Sequence, residues 1–166
     1  MNRTTIIIGN ICSLIAMITD SISSTRKTAK GVLVVQNISQ FFYCASAIIL
    51  KGYSSAVQNL VSFTRNLIAI KKVNSKALEW IGVVLGVVLS IACNNMGLLG
   101  FLPVIANLQY TLAVFKFKDN DRALKISFAI CIGMYTVYNF AILNFVGMIS
   151  NVVVVTTTLV MLFKRK

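Results

Sequence analysis

The chain has 166 residues, 57% of them hydrophobic and only 12% charged, with no histidine and one proline, Pro103. Soluble domains carry about twice that share of charge, so an ordinary water-soluble fold is excluded, and the lack of histidine, of clustered metal ligands and of an acid pair inside any apolar run argues against an enzyme, a metal site or a cofactor. The net charge of +12 would suggest nucleic acid in a soluble protein, but here the cations gather between apolar runs, the pattern of loops at a membrane surface, so no nucleic-acid partner is expected.

A helix needs about 20 residues to cross a hydrocarbon core of about 30 Å, and seven segments come near that length: 5–23, 31–50, 53–71, 77–94, 97–115, 124–143 and 145–163. The first follows Arg3 and is followed by no A-x-A-like cleavage site, so it is expected to stay as a span. In the second, Gln36, Gln40 and Tyr43 share one face. The third, YSSAVQNLVSFTRNLIAI, places Ser55, Gln58, Asn59, Ser62 and Asn66 within roughly a quarter of the helix circumference. The fourth is the shortest; its Gly82 and Gly86 form a G-x-x-x-G spacing that suits close helix packing, and Glu79 and Trp80 at its start suit an interface. The fifth holds Pro103 and the sixth Tyr135. In the seventh, Asn144, Gly147, Asn151 and Thr158 line up. Cys12, Cys44, Cys93 and Cys131 all fall inside these apolar runs without a C-x-x-C pair and are read as small buried apolar residues.

The connections at Lys51-Gly52, Asn94-Asn95-Met96 and Asn144 are so short that the helices they join must be antiparallel neighbours. If the spans alternate, one face holds Arg3 and Lys51 and the other Arg26, Lys27, Lys30, Lys71, Lys72, Lys76, Lys116, Lys118, Arg122, Lys125, Lys164, Arg165 and Lys166, two cations against thirteen. The positive-inside rule then puts the N-terminus outside and the C-terminus in the cytoplasm. Asp119 and Asp121 are read as solvated loop charges beside Lys118 and Arg122.

Three spans, one span and three spans suggest a duplication. An offset of 92 residues lays 43–72 on 135–164 without a gap, with six identities in about thirty positions: Tyr43 on Tyr135, Asn59 on Asn151, Val61 on Val153, Thr64 on Thr156, Leu67 on Leu159 and Lys72 on Lys164. The offset also pairs Lys30 with Arg122. It moves each helix on by an even number of spans, so the two units are parallel repeats. The expected fold is all-α: a polytopic membrane protein whose seven transmembrane helices form two parallel triple-helix bundles, 1–76 and 97–166, joined by a linker helix at 77–96.

The stretches GVLVVQNISQFFYCASAIILKGYSSAVQNLVSFTRNL and GFLPVIANLQYTLAVFKFKDNDRALKISFAICIGMYTVYNFAILNFVGMISNVV resemble YgjV-type bacterial inner membrane proteins over nearly the whole chain. The resemblance implies a multi-pass protein of the bacterial inner (cytoplasmic) membrane. The plan of three, one and three helices is also similar to SWEET sugar transporters and the wider PQ-loop group, in which an asparagine in the third helix of each bundle helps to bind sugar. That likeness would give the role to Asn59 and Asn151.

A polar face cannot turn to lipid without losing its hydrogen bonds, so the stripes are expected to face inward, either knitting helices together or lining a solute path. The candidate solute-binding residues are Asn59, Asn151, Ser62, Asn66, Gln36, Tyr43 and Tyr135, suited to a small neutral polar solute because an amide offers both donors and an acceptor. The alternative is a membrane protein that does not transport and binds a partner protein or lipid. A homo-oligomer is compatible with either. Arg65 lies roughly 9 Å from the cytoplasmic end of its helix by helical rise and has three readings: an ion pair with Asp20, contact with a solute, or snorkelling to the headgroups.

Overall fold

The computed structural model describes residues 1–23, 29–71, 76–116 and 121–164. Arg26, Lys27, Lys72, Lys118, Asp119, Arg165 and Lys166 lie outside them, as do the side chains of Glu79 and Asp121. Seven α-helices run in order: α1 (Arg3–Ser23), α2 (Ala29–Ile49), α3 (Tyr53–Ile70), α4 (Lys76–Ala92), α5 (Leu102–Lys116), α6 (Asp121–Ala141) and α7 (Phe145–Lys164). No strand occurs among the described residues.

One boundary differs from expectation. The fifth helical segment opens not as α-helix but as a 3-10 turn, Gly97–Phe101. The cause is local: Asn94 accepts from the Met96 N–H at 2.9 Å and donates to the Gly97 carbonyl at 2.8 Å, which holds the chain in a tight loop with Gly97 at φ +57°. Pro103 then sits in the first turn of α5, where a missing N–H costs nothing. Gly100 packs against the Asn94 amide with no room for a Cβ.

Neighbouring helices form a ring. α1 packs on α2, α2 on α3, α3 on α5, α5 on α6, α6 on α7 and α7 on α1, while α4 lies outside and packs on α3 and α5. The first and third helices were expected to adjoin; instead α2 separates them. Short connections fix this order, because α2 is tethered to α3 by three residues and cannot swing out from between its sequence neighbours.

The 92-residue repeat is written into the backbone. In the α2–α3 turn, Leu50, Lys51 and Gly52 donate to Ser46, Ile48 and Ala47 at 2.9, 3.0 and 2.7 Å; in the α6–α7 turn, Ile142, Leu143 and Asn144 donate to Tyr138, Phe140 and Asn139 at 3.1, 3.1 and 2.8 Å. Every donor and acceptor of the second set is the first plus 92. The non-glycine residues at positive φ among the described ones are Lys51 (60°) and Leu143 (62°), again equivalent. Leu50 and Ile142, another equivalent pair, meet in one buried cluster with Tyr138, backed by Met96 and Leu102. Equivalent residues can meet only near the axis that relates their repeats, so that axis passes through this cluster.

The same contacts gather one end of the molecule. The Asn95 amide donates to the Lys51 carbonyl at 2.8 Å and the Asn10 amide to the Leu143 carbonyl at 2.9 Å. Three turns and the start of α1 therefore share an end, called here the turn end, and the helices run from it to an opposite end where Lys30, Lys71 and Arg122 are exposed.

Packing is inside out relative to a soluble protein. Ser13, Ser39, Ser46, Ser54 and Ser90 are fully buried, whereas Phe41, Phe140, Ile149 and Ile7 are 63, 60, 59 and 58% exposed. Every helix turns large apolar side chains outward. In water that arrangement forfeits the hydrophobic driving force; in lipid, small residues at helix contacts and apolar residues outside are the stable solution. Among the described residues α1 alone is long and apolar enough to cross a membrane unaided, and shorter apolar stretches run through Leu33–Ile49, Trp80–Ala92, Gly97–Ala113 and Phe145–Val160. Inward polar residues interrupt the apolar runs of the others.

Candidate functional site

The buried polar side chains fall into two sets, those with partners and those without. The largest partnered group joins α3, α4 and α5. Gln58 donates to Ser90 Oγ at 2.9 Å and to the Gly86 carbonyl at 3.3 Å, and accepts from the Asn107 amide at 2.6 Å. Ser54 and Ser90 each donate to the other's carbonyl, at 3.2 and 3.3 Å. Gly86 makes the approach possible, since a Cβ there would stand 2.8 Å from Val61 Cγ2, whereas one on Gly82 would meet nothing within 4 Å. Among the described residues, the second glycine of the G-x-x-x-G pair is thus the one in close packing.

A second partnered group joins α1 to α7. Asn144 is the N-cap of α7, its Oδ1 accepting from the Gly147 N–H at 3.0 Å, and Asn10 of α1 accepts from the Val146 N–H at 2.9 Å. Two free N–H groups of one helix start are thereby satisfied, one from its own cap and one from a neighbouring helix. Ser13 and Ser46 bond at 2.8 Å and Ser46 reaches the Gly9 carbonyl at 2.8 Å, which ties α1 to α2. Asn10, Ser13, Ser46, Ser90 and Asn107 were not singled out from the sequence; no stripe marks them, because each faces a partner supplied by another helix. Thr156, Thr157 and Thr158 each donate to the carbonyl four residues back at 2.8 Å, so hydroxyls on this helix need no external partner.

The residues expected to bind solute behave differently. Asn59 and Asn151 are half-buried, Ser62 likewise, and none of the three side chains makes a hydrogen bond among the described residues. Both asparagines stand on inward faces: Asn59 lies between the buried Ser55 and Asn66, with Leu60 and Leu67 outward, and Asn151 follows the buried Asn144 and Gly147, with Ile149, Val152 and Val153 outward. Asn66 is 5% exposed. Gln40 Oε1, Gln109 Oε1 and Asn37 Oδ1 are buried without a partner, although the Gln109 amide nitrogen donates to Ser127. Gln36, Tyr43 and Tyr135 are half-buried. The helices bearing Asn59 and Asn151, α3 and α7, do not touch. Between α2 and α3 an outward cleft of about 220 Å³ is lined by Asn37, Ile38, Phe41 and Phe63.

Asp20 and Arg65 are not brought together. Ser39 of α2 donates to Asp20 at 3.1 Å, and Tyr43 lies within electrostatic reach of the same carboxylate. Arg65 is exposed and has Tyr110 of α5 and Tyr135 of α6 within electrostatic reach. With α2 between their helices, the two charges occupy different sectors. Of the cysteines, Cys131 is buried and Cys12 and Cys44 are half-buried, as small apolar residues should be, but Cys93 is exposed because α4 ends one residue before it.

Small and polar inside, apolar outside, duplicated turns: these features call for a membrane family built on a repeat. The sequence pattern of Imp-YgjV, described as bacterial inner membrane protein, matches residues 7–166. The chain belongs to the Imp-YgjV family. No curated protein and no solved structure matches it. The Imp-YgjV chain described here is therefore a bacterial inner membrane protein. In that setting an inward amide without a protein partner meets either water or a bound molecule.

Proposed function

We propose that this Imp-YgjV protein is a seven-span carrier for a small neutral polar solute, with the N-terminus outside, the C-terminus in the cytoplasm, and the solute path between the repeats 1–76 and 97–166. The observation that carries this reading is the contrast between Asn59 and Asn151 and the amides that tie helices together. Gln58, Asn107, Asn10 and Asn144 are committed to partners, whereas the two repeat-equivalent asparagines, on inward faces, have none among the described residues. Both are half-buried, so a solute or water in the path can pair with amides that the protein leaves open. Facilitated exchange is the simplest mode, because Asp20 is the only acid within the described length of α1, α2, α3, α5 and α7, and proton coupling usually draws on titrating groups in the spans. The non-transporting alternative draws its support from the Gln58 group, which spends its polar atoms on packing.

Cysteines at Asn59 and Asn151, introduced singly into a protein lacking Cys12, Cys44, Cys93 and Cys131, should react with small water-soluble thiol reagents, and the wild type should take up at least one member of a panel of sugars, nucleosides, vitamins and amino acids into proteoliposomes. Inertness of both positions in folded protein, with no uptake, would decide for the non-transporting reading.

A further inference from the structure

Four residues of the path share one level. Tyr43 and Tyr135 stand six residues before the turn ends of α2 and α6, and Asn59 and Asn151 six residues after those of α3 and α7. By helical rise all four lie about 9 Å from the turn end. The 92-residue offset relates the two tyrosines to each other and the two asparagines to each other. One turn nearer the turn end, on the same side of α6 as Tyr135, the fully buried Tyr138 packs with Leu50 and Ile142 on the axis. The shared level therefore lies directly beneath a packed roof.

All four also stand on the axis side of their helices. At about 100° per residue, Tyr43 falls about 170° from the centre of the exposed face formed by Val34, Ile38 and Phe41 of α2, and Tyr135 equally far from that of Ile130, Val137 and Phe140 of α6. The asparagines occupy the inward faces of α3 and α7. In the ring α1, α2, α3, α5, α6, α7, helix α2 lies across from α6 and α3 across from α7, and among the described residues neither pair packs together. Two phenol rings thus flank the axis along one diameter and two amides along another.

We infer that this level binds a planar nitrogen heterocycle of the nucleobase kind, its faces held between Tyr43 and Tyr135 and its edge read by Asn59 and Asn151. The inference rests on the carrier reading and narrows its solute. A flat heterocycle keeps its donors and acceptors in the ring plane and leaves two π-faces, which aromatic side chains cover. An asparagine amide offers donor and acceptor side by side and pairs with an adjacent acceptor and donor on such an edge. A sugar carries hydroxyls around its whole rim, more than two amides satisfy, and each one left unpaired in the site weakens binding. Two faces and two edges fit the heterocycle.

The test uses the purified full-length protein. Binding of radiolabelled adenine and uracil is measured in detergent, with glucose and leucine for comparison, and uptake of all four is measured separately in proteoliposomes. At least one base should bind saturably. Tyr43→Leu and Tyr135→Leu should each weaken that binding about tenfold, the worth of one base–aromatic stack, whereas Tyr43→Phe and Tyr135→Phe should stay within about twofold because the ring face is kept. Asn59→Ala and Asn151→Ala should each lose about tenfold as well, and Thr157→Val, on the exposed side of α7, should match the wild type. Equal losses in the Phe and Leu variants would mean that the hydroxyls bind and the rings do not stack, which overturns the inference. If neither base binds, the inference is overturned too; uptake of glucose or leucine in that case leaves the carrier reading standing, and no uptake of any solute removes that reading as well. If a Leu variant does not fold, the Asn variant of the same repeat carries the test, and unchanged binding there overturns the inference.

Discussion

Gln58 and Asn59 are adjacent amides on one polar stripe, yet one holds three helices together and the other makes no side-chain hydrogen bond among the described residues. Replacing Gln58 by Leu removes its bonds to Ser90, Gly86 and Asn107; Ser90 keeps Ser54, but the half-buried Asn107 amide loses its partner, and the change costs about 1–3 kcal/mol. The expected outcome is a clear fall in the unfolding temperature of the detergent-solubilised protein. Asn59→Ala removes no hydrogen bond among the described residues and should change stability by no more than about 0.5 kcal/mol, while lowering uptake if the path runs past it. Equal losses of stability for the two variants would mean that Asn59 is also a packing residue. The stripe itself was legible in the sequence, because spacing on a helix needs only the 3.6-residue period. The division within it was not, since the partners of Gln58 come from α4 and α5, whose register no local pattern announces.

Elements were more legible than contacts. Apolar length and basic punctuation located all seven helices to within a few residues, and the one qualitative miss, the 3-10 start before α5, arises from an Asn94 side chain acting on backbone two and three residues away. The repeat was faint in sequence, where Lys51 faces Leu143 and Ser46 faces Tyr138, and plain in the backbone, because the turn conserves hydrogen bonds and not side chains. That turn carries strain. Leu143 at φ 62° occupies a left-handed conformation that costs a non-glycine residue about 1 kcal/mol or more. Leu143→Gly should therefore stabilise the protein by up to about 1 kcal/mol, the relief of strain outweighing the extra freedom glycine gives the unfolded chain. Thermal unfolding of the purified variant reads this directly, and a drop in stability would show that the Leu143 side chain contributes more by packing than its backbone loses.

At the scale of the whole molecule, the ring order and the shared end bear on how the protein sits in its membrane. Helix α1 begins, and the α2–α3, α4–α5 and α6–α7 connections turn, at one end, which carries only Arg3 and Lys51, both exposed. Seven helices that alternate from this end finish at the other, so α7 ends with Lys164 at the basic end. Adding a cation to the translocated side of a short loop is disfavoured, and a bias of two against thirteen is large compared with the few charges that usually decide orientation. The expected outcome is that a reporter fused after Lys166 and active only in the cytoplasm works, and that one active only outside the cytoplasm does not. The sharper test moves the charge: Lys51→Glu with Arg3→Gln should leave this pattern intact, because it deepens the existing asymmetry, whereas new lysines at Asn95 and Asn144, both in turn-end connections, should begin to produce molecules in the opposite orientation. Activity of the external reporter in the unaltered chain would reverse the orientation and place the duplicated turns, with their left-handed Lys51 and Leu143, on the cytoplasmic side.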